Sequence, residues 1–317
     1  MTIRIVTPAP VYSRAGNRVT ARRWARILRG LGYRVVIEQE YKGGACTVLL
    51  ALHARRSFTS IDRFRRSHPN SPLLVALTGT DLYHDIRTSR SARKSMELAT
   101  RLIVLQPLGA AELAKHLAAK TRVILQSAVG VRRVAPPKPG VFEVCVVGHL
   151  RTVKDPFRTA MASRLLPSES RLRVVQIGGA LSPHMSRRAL SEAARNRRYK
   201  WFGELPQART LELLARCRLL VLSSKMEGGA NVISEALAAS VPILSSRISG
   251  SVGILGRDYP GYFPPGDTSR LAALLLRAET DPEFYRSLKS WCARLKRLVD
   301  PARERRAWIN LLAELKT

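Results

Sequence analysis

The stretch MEGGANVISEALAASVPILSS, residues 226–246, decides how the chain is read. It follows RLLVLSS at 218–224, an apolar run ending in two serines, and it closes on a second such run, VPILSS at 241–246. Between them KMEGGA reads as a strand exit loop and NVISEALAA as a helix, so the segment is a strand, loop, helix, strand unit. In an open parallel sheet, ligands sit beyond the carboxyl ends of the strands, where loops feed helix starts. Glu227 and Glu235 stand eight residues apart around Gly228 and Gly229. The glycines permit close backbone approach, and amides at a helix start, here Ala230 and Asn231, favour phosphate or sugar oxygens. Glu235, one turn into the helix, offers two acceptor oxygens to vicinal hydroxyls, and Glu227 is placed for the other end of the same ligand. Singly, each glutamate reads as well as a solvated or dipole-favoured surface residue. Their joint spacing is what points to a ligand.

Outward from this unit the same rhythm recurs. Apolar runs at 3–6, 34–38, 46–52, 73–77, 101–105 and 122–125 alternate with helical patterns. RRVAPPKPG at 132–140 then breaks the pattern with three prolines and a glycine and reads as a linker. Runs at 142–148, 171–179, 218–224 and 241–246 resume it. Continuous apolar strands separated by helices predict parallel sheets covered on both faces, and 317 residues suit two domains. The spacing predicts a first domain over 1–133, a second over 141–299, helices over 267–299 with Pro282 in a first turn, and a last helix from Pro301. That last helix, 300–317, is expected to pack back on the first domain, with Ala307, Ile309, Leu311, Leu312 and Leu315 on its buried face.

The formal charge of +31 would ordinarily suggest nucleic acid or an anionic surface. The 43 arginines and 11 lysines are spread over nearly every segment, however, and aromatics make up only 6%. Stacking platforms, zinc-finger spacings and basic tails are not evident, so no nucleic-acid partner is expected. Cys46, Cys145, Cys217 and Cys292 lie far apart without a metal-ligand spacing, so reduced buried thiols are expected. No apolar run approaches the ~20 residues needed to cross a bilayer. The opening MTIRIVTPAP reads as strand and turn, not as an export signal, so the expected location is cytoplasmic.

Further loops at strand ends carry polar chemistry. VVGHLRTVKDP at 146–156 supplies Arg151 and Lys154 as fixed cations beside His149. In the first half, APVYSRAGNRV places Gly16 for close approach, Asn17 as a helix cap and Arg18 as a cation at a helix start. LHARRS and LTGTDLYHD add His53, Arg55, Arg56, Thr80, Asp81 and Tyr83. Held singly, each of these is as readily an ordinary loop or cap residue.

EGGANVISEALAASVPIL resembles the E-x7-E signature of the GT-B glycosyltransferases of family four. That resemblance implies two Rossmann-like domains facing across a cleft, with Glu235 on the ribose and Glu227 on the transferred hexose of a nucleotide sugar. It implies that amides of Gly228 to Asn231 lie near the sugar and diphosphate, and that Lys154 meets the diphosphate. His149 stands where the family usually has arginine, and Arg151 is assigned that cation's role. Together, GNRVTARRWA, LHARRS, LTGTDLY, VVGHLRTVKDP, MEGGANVISEALA and DYPGYFPPGD resemble a narrower group, the selenosugar synthases of selenoneine biosynthesis. This implies joining of selenophosphate to the anomeric carbon of a UDP-sugar, commonly UDP-N-acetylglucosamine, with release of UDP and with no cofactor or metal. The expectation is then that Arg18, Arg55 and Arg56 hold the selenophosphate. Two rival expectations stand beside it: a glycosyltransferase of the same fold acting on a hydroxyl or lipid acceptor, and a non-enzymatic binder of nucleic acid or anionic surfaces. The sequence leaves the preferred sugar, the anomeric outcome and the oligomeric state open.

Overall fold

The computed structural model describes residues 2–131 and 135–315; the first three residues of the linker segment lie outside them. Two compact units are present. Unit 1 comprises Met1–Gln126, Glu227–Gly229 and Pro301–Thr317, and unit 2 comprises Ser127–Met226 and Ala230–Asp300.

Unit 1 is built on six parallel strands: β1 (Thr2–Val6), β2 (Arg34–Glu38), β3 (Val48–Leu52), β4 (Leu73–Leu77), β5 (Arg101–Val104) and β6 (Thr121–Val123). They lie in the order β2-β1-β3-β4-β5-β6. Every residue of β3 and β4 is buried, which is why both read as unbroken apolar runs. Alternation along β3 sends Leu49 and Ala51 into one core with Tyr41, Phe64 and Met96, and Val48, Leu50 and Leu52 into the other with Trp24 and Leu28.

The helix Pro301–Ala313 completes that second core through Trp308, Leu311 and Leu312. Its buried face differs from the sequence expectation, because Ile309 is 42% exposed while Glu304 and Trp308 are buried. The cause lies in helix Gly16–Arg29: Trp24 Nε1 donates to Glu304 Oε1 at 2.7 Å, and the Trp24 and Trp308 rings meet edge to face with centroids 5.1 Å apart. Those contacts fix the helix rotation on positions 304, 308, 311 and 312, which leaves 309 outside.

Unit 2 repeats the plan with β7 (Phe142–Val147), β8 (Leu172–Ile177), β9 (Tyr199–Trp201), β10 (Leu219–Leu222), β11 (Ile243–Ser246) and β12 (Tyr262–Phe263), in the order β12-β11-β10-β7-β8-β9 and all parallel. Pro282 opens the helix Pro282–Leu295, and Asp281 caps it by accepting from the Glu283 and Phe284 amides. The four cysteines are buried free thiols. Among the described residues no helix is long and apolar enough to cross a membrane.

Candidate functional site

Each sheet has one point where the chain reverses direction across it, and ligands favour the strand ends beside such a point. In unit 2 the point lies between β7, whose successor β8 is on one side, and β10, which pairs on the other. The loops leaving those two strands are the ones that carry His149, Arg151 and Lys154, and Ser223 to Met226.

Hydrogen bonds tie the two loops together. The Lys225 amide donates to the Val153 carbonyl at 2.8 Å, and the Ser223 hydroxyl to the Asp155 and Lys154 carbonyls at 2.9 and 3.3 Å. Asp155 itself takes a left-handed conformation, φ 43°, held by an Arg158 ion pair at 2.8 Å. An aspartate tolerates that conformation better than most residues. The result is a fixed turn, Thr152–Lys154, that presents Lys154 beside the β10 exit. Arg151 precedes the turn in extended backbone, with its Nε unpaired.

His149 is set by the next strand. Leu150 N donates to Gly179 O, and a Cβ at Gly178 would stand 2.0 Å from the Gly148 carbonyl oxygen, so only glycine lets these loops approach. The His149 ring lies near Gly179, as does the Glu204 carboxylate, and His149 Nδ1 has no hydrogen-bond partner.

The helix Asn231–Ala238 starts behind Ala230 with no side-chain cap and no acid in its first turn. Glu235 is half-buried on it.

Residues Glu227–Gly229 pack within unit 1. A Cβ at Gly228 would lie 2.5 Å from the Thr78 carbonyl carbon, and one at Gly229 would lie 2.5 Å from Leu105 Cβ. Protein atoms thus already account for both glycines, where the sequence suggested room for a ligand. Glu227 is 9% exposed and near enough to Tyr83 to contribute to its raised phenol pKa. Burial is the main cause of that rise, to about 12, and Gln106 Nε2 donates to the Tyr83 oxygen at 2.9 Å.

In unit 1 the reversal lies between β1 and β3. The helix after β1 begins at Gly16 with Ala15 in the cap position, so Asn17 falls in the first turn and does not cap it. The Ser13 hydroxyl accepts from the Ala15 amide at 2.9 Å and sets that start. Arg18 is 5% exposed, and its Nε and Nη1 have no partner. Burial, then the neighbouring Arg22, depresses its pKa, yet a guanidinium keeps its charge.

After β3, His53 holds φ 75°, a conformation uncommon for a residue with a side chain. Its Nδ1 accepts from the Arg56 amide at 3.4 Å, so the neutral ring carries its proton on Nε2 and donates to Thr80 Oγ1 at 3.0 Å. Asp81 is fully buried and accepts from the amides of Ala54, Thr78 and Gly79. It is a staple between two loops. Arg55 is paired with buried Asp85 at 3.0 Å, whereas the exposed Arg56 side chain has no carboxylate partner among the described residues.

The structure therefore gathers Gly16, Asn17, Arg18, His53, Thr80, Asp81, Tyr83 and Glu227 into unit 1 and His149, Arg151, Lys154, Ala230, Asn231 and Glu235 into unit 2. Among the described residues no group of three His, Cys, Asp or Glu side chains is arranged to hold a metal ion. Asp85, Gln106 and Gln176 were missed in the sequence. Of these only Gln176 leaves a signal, a lone amide inside the apolar strand LRVVQI.

The fold is that of known sugar transferases. HepE of Anabaena, in crystals with UDP and glucose, superposes with a TM-score of 0.75 at 14% identity, covering 99% of this chain and 100% of that one. Sucrose-phosphate synthase of Thermosynechococcus elongatus gives 0.80 at 15%, covering 99% and 98%. A TarM variant of S. aureus, in complex with Fondaparinux, alpha-GlcNAc-glycerol and UDP, gives 0.65 at 13%, covering 83% and 55%. These likenesses establish the GT-B fold, two Rossmann-like domains each on a six-stranded parallel sheet. Residues 131–291 match the family described as Glycosyl transferases group 1. That match spans half of the chain and contains the tied loops of unit 2 together with Glu227 and Glu235, and by it the chain belongs to the group 1 glycosyl transferases.

Proposed function

We propose that this glycosyltransferase takes its sugar from a UDP-sugar and passes it to selenophosphate, releasing UDP. The observation that carries the donor half is the hydrogen-bonded junction of the Val153–Asp155 turn with Ser223 and Lys225. It holds Lys154 at the exit of β10, the strand whose loop leads into the helix Asn231–Ala238, an arrangement suited to a diphosphate. Glu235 is assigned to the ribose and Glu227 to the hexose, with Arg151 and Lys154 taking the charge that develops on the leaving UDP. HepE, crystallised with UDP-glucose, supports the choice of donor.

The acceptor half rests on Arg18. A buried guanidinium with two unpaired nitrogens at the start of a 14-residue helix is a place for a multiply charged oxyanion. Arg56 adds a second cation, while Arg55 is already engaged by Asp85. Selenium attacks the anomeric carbon, the C–Se bond forms, and the bond to the UDP oxygen breaks with its electron pair leaving on UDP. An anionic selenium nucleophile needs no protein base, so the work is positioning and charge stabilisation.

The TarM complex with alpha-GlcNAc-glycerol favours a second reading, transfer to a hydroxyl acceptor. The family match and the solved sugar transferases support this generic reading better than transfer to selenium, which rests on the sequence resemblance and on Arg18. Mass spectrometry of products from UDP-N-acetylglucosamine, with selenophosphate in one arm and glycerol or sugar alcohols in the other, separates the two. The expected product in the first arm is the sugar joined through selenium to phosphate, or the selenosugar and phosphate left once water has cleaved its Se–P bond. Product only with the alcohols would sink the selenium reading.

A further inference from the structure

Strand β8, Leu172–Ile177, carries one residue that its surroundings do not call for. Gln176 is 1% exposed, in register with Val146 on one side and Trp201 on the other. Neither its Nε2 nor its Oε1 has a hydrogen-bond partner. An aliphatic side chain would complete this apolar strand, and a buried amide with both ends unmet is costly. Gln176 is one of the residues that line a crevice of about 10 Å³, together with Gly148, Lys154, Ser223 and Ser224.

That volume is enough to seat one solvent molecule. Of the crevice walls, the Ser223 hydroxyl already donates to the Lys154 and Asp155 carbonyls. The Lys154 ammonium has three protons to place, so a bond made elsewhere does not exhaust it. We propose that Gln176 is a positioning residue for Lys154, acting through one solvent molecule seated in this crevice. The solvent accepts from the ammonium and exchanges a hydrogen bond with the Gln176 amide, which sets the direction of a flexible four-carbon side chain. Its functional consequence rests on the diphosphate role proposed above for Lys154; its geometry does not.

Two measurements test it. In a crystal structure of the full chain fine enough to show solvent, one ordered molecule is expected within about 2.7–3.2 Å of both the Gln176 amide and Lys154 Nζ. An amide bonded to protein, or solvent touching Gln176 but not Lys154, overturns the proposal. The second measurement is UDP calorimetry on Gln176→Met, Lys154→Met and the double variant. Gln176→Met is expected to bind UDP roughly tenfold more weakly, the size of one lost charge-assisted hydrogen bond, with melting temperature unchanged or raised. In the Lys154→Met background the same change is expected to do nothing further. An equal loss in both backgrounds makes Gln176 merely structural and overturns the proposal. If the wild-type chain binds no UDP, the donor assignment falls, and the crystallographic arm still decides the role of Gln176.

Discussion

Gly228 lies so close to Thr78 that a Cβ at 228 would stand 2.5 Å from the Thr78 carbonyl carbon and 2.7 Å from the Gly79 amide. The obstruction is backbone, which cannot swing aside as a side chain would. Gly228→Ala is therefore expected to destabilise unit 1 by about 1–3 kcal/mol, the usual cost of overpacking. Urea denaturation reads this directly. A variant as stable as wild type would show that the loop after Glu227 shifts freely, and the packing account of this glycine would be wrong.

His53 makes stability depend on acid. Burial, opposed by Asp81 and Asp85, holds its imidazole below the ordinary value of 6.5, with Arg56 and Arg55 adding to the depression. The fold resists a proton that the unfolded chain accepts, so the contribution is complete above about pH 6.5 and is lost as pH falls from there towards the folded value. The slope is at most about 1.4 kcal/mol per pH unit for one proton. Melting temperatures between pH 7.5 and 5 are expected to fall more steeply for wild type than for His53→Asn, which tolerates the left-handed backbone. Parallel curves would mean that His53 titrates normally.

The alternation of apolar runs and helices placed all six strands of the first sheet and four of the second, because strands buried on two faces leave unbroken Val, Ile and Leu runs such as Leu73–Leu77, whereas β9 and β12, three and two residues long, are too short to leave one. The loop after β7 that carries Lys154 and the loop after β10 that leads to the helix of Glu235 were legible for the same reason, since an apolar run that stops before a polar loop and a helix marks a strand end. The partners of those residues were not legible. Nothing in the spacing says that Asp81 spends its oxygens on three backbone amides, that Arg55 is drawn to Asp85, or that Trp24 takes the carboxylate of Glu304. Apart from the two amides next to Asp81 in its own loop, these pairings join residues 27 to 280 positions apart and follow from the packing of layers, which local periodicity does not encode.

Arg18 should separate stability from acceptor binding. A buried cation with two unpaired nitrogens costs the fold more than it returns, so Arg18→Met is expected to leave the melting temperature unchanged or raise it, by about 2–4 °C for each kcal/mol recovered. The same change should raise the KM for selenophosphate roughly tenfold or more, with UDP affinity held within about twofold. Loss of stability in step with activity would recast Arg18 as a structural residue.

Glu235 and Glu227 divide between them the two ends of the proposed donor, and two ligands tell the ends apart. UDP carries the ribose and diphosphate without the hexose. Glu235→Gln is expected to weaken UDP and UDP-N-acetylglucosamine alike, by roughly 10–100-fold, since a carboxylate accepting from both ribose hydroxyls makes charge-assisted bonds that an amide cannot. Glu227→Gln is expected to weaken only the sugar nucleotide and leave UDP within about twofold. The Gln substitution keeps the volume of a side chain that is 9% exposed, so a packing defect does not obscure the comparison. Calorimetry with both ligands on both variants gives four numbers. If Glu227→Gln weakens UDP as much as it weakens the sugar nucleotide, the carboxylate at 227 does not act through the hexose, and its assignment fails while that of Glu235 stands.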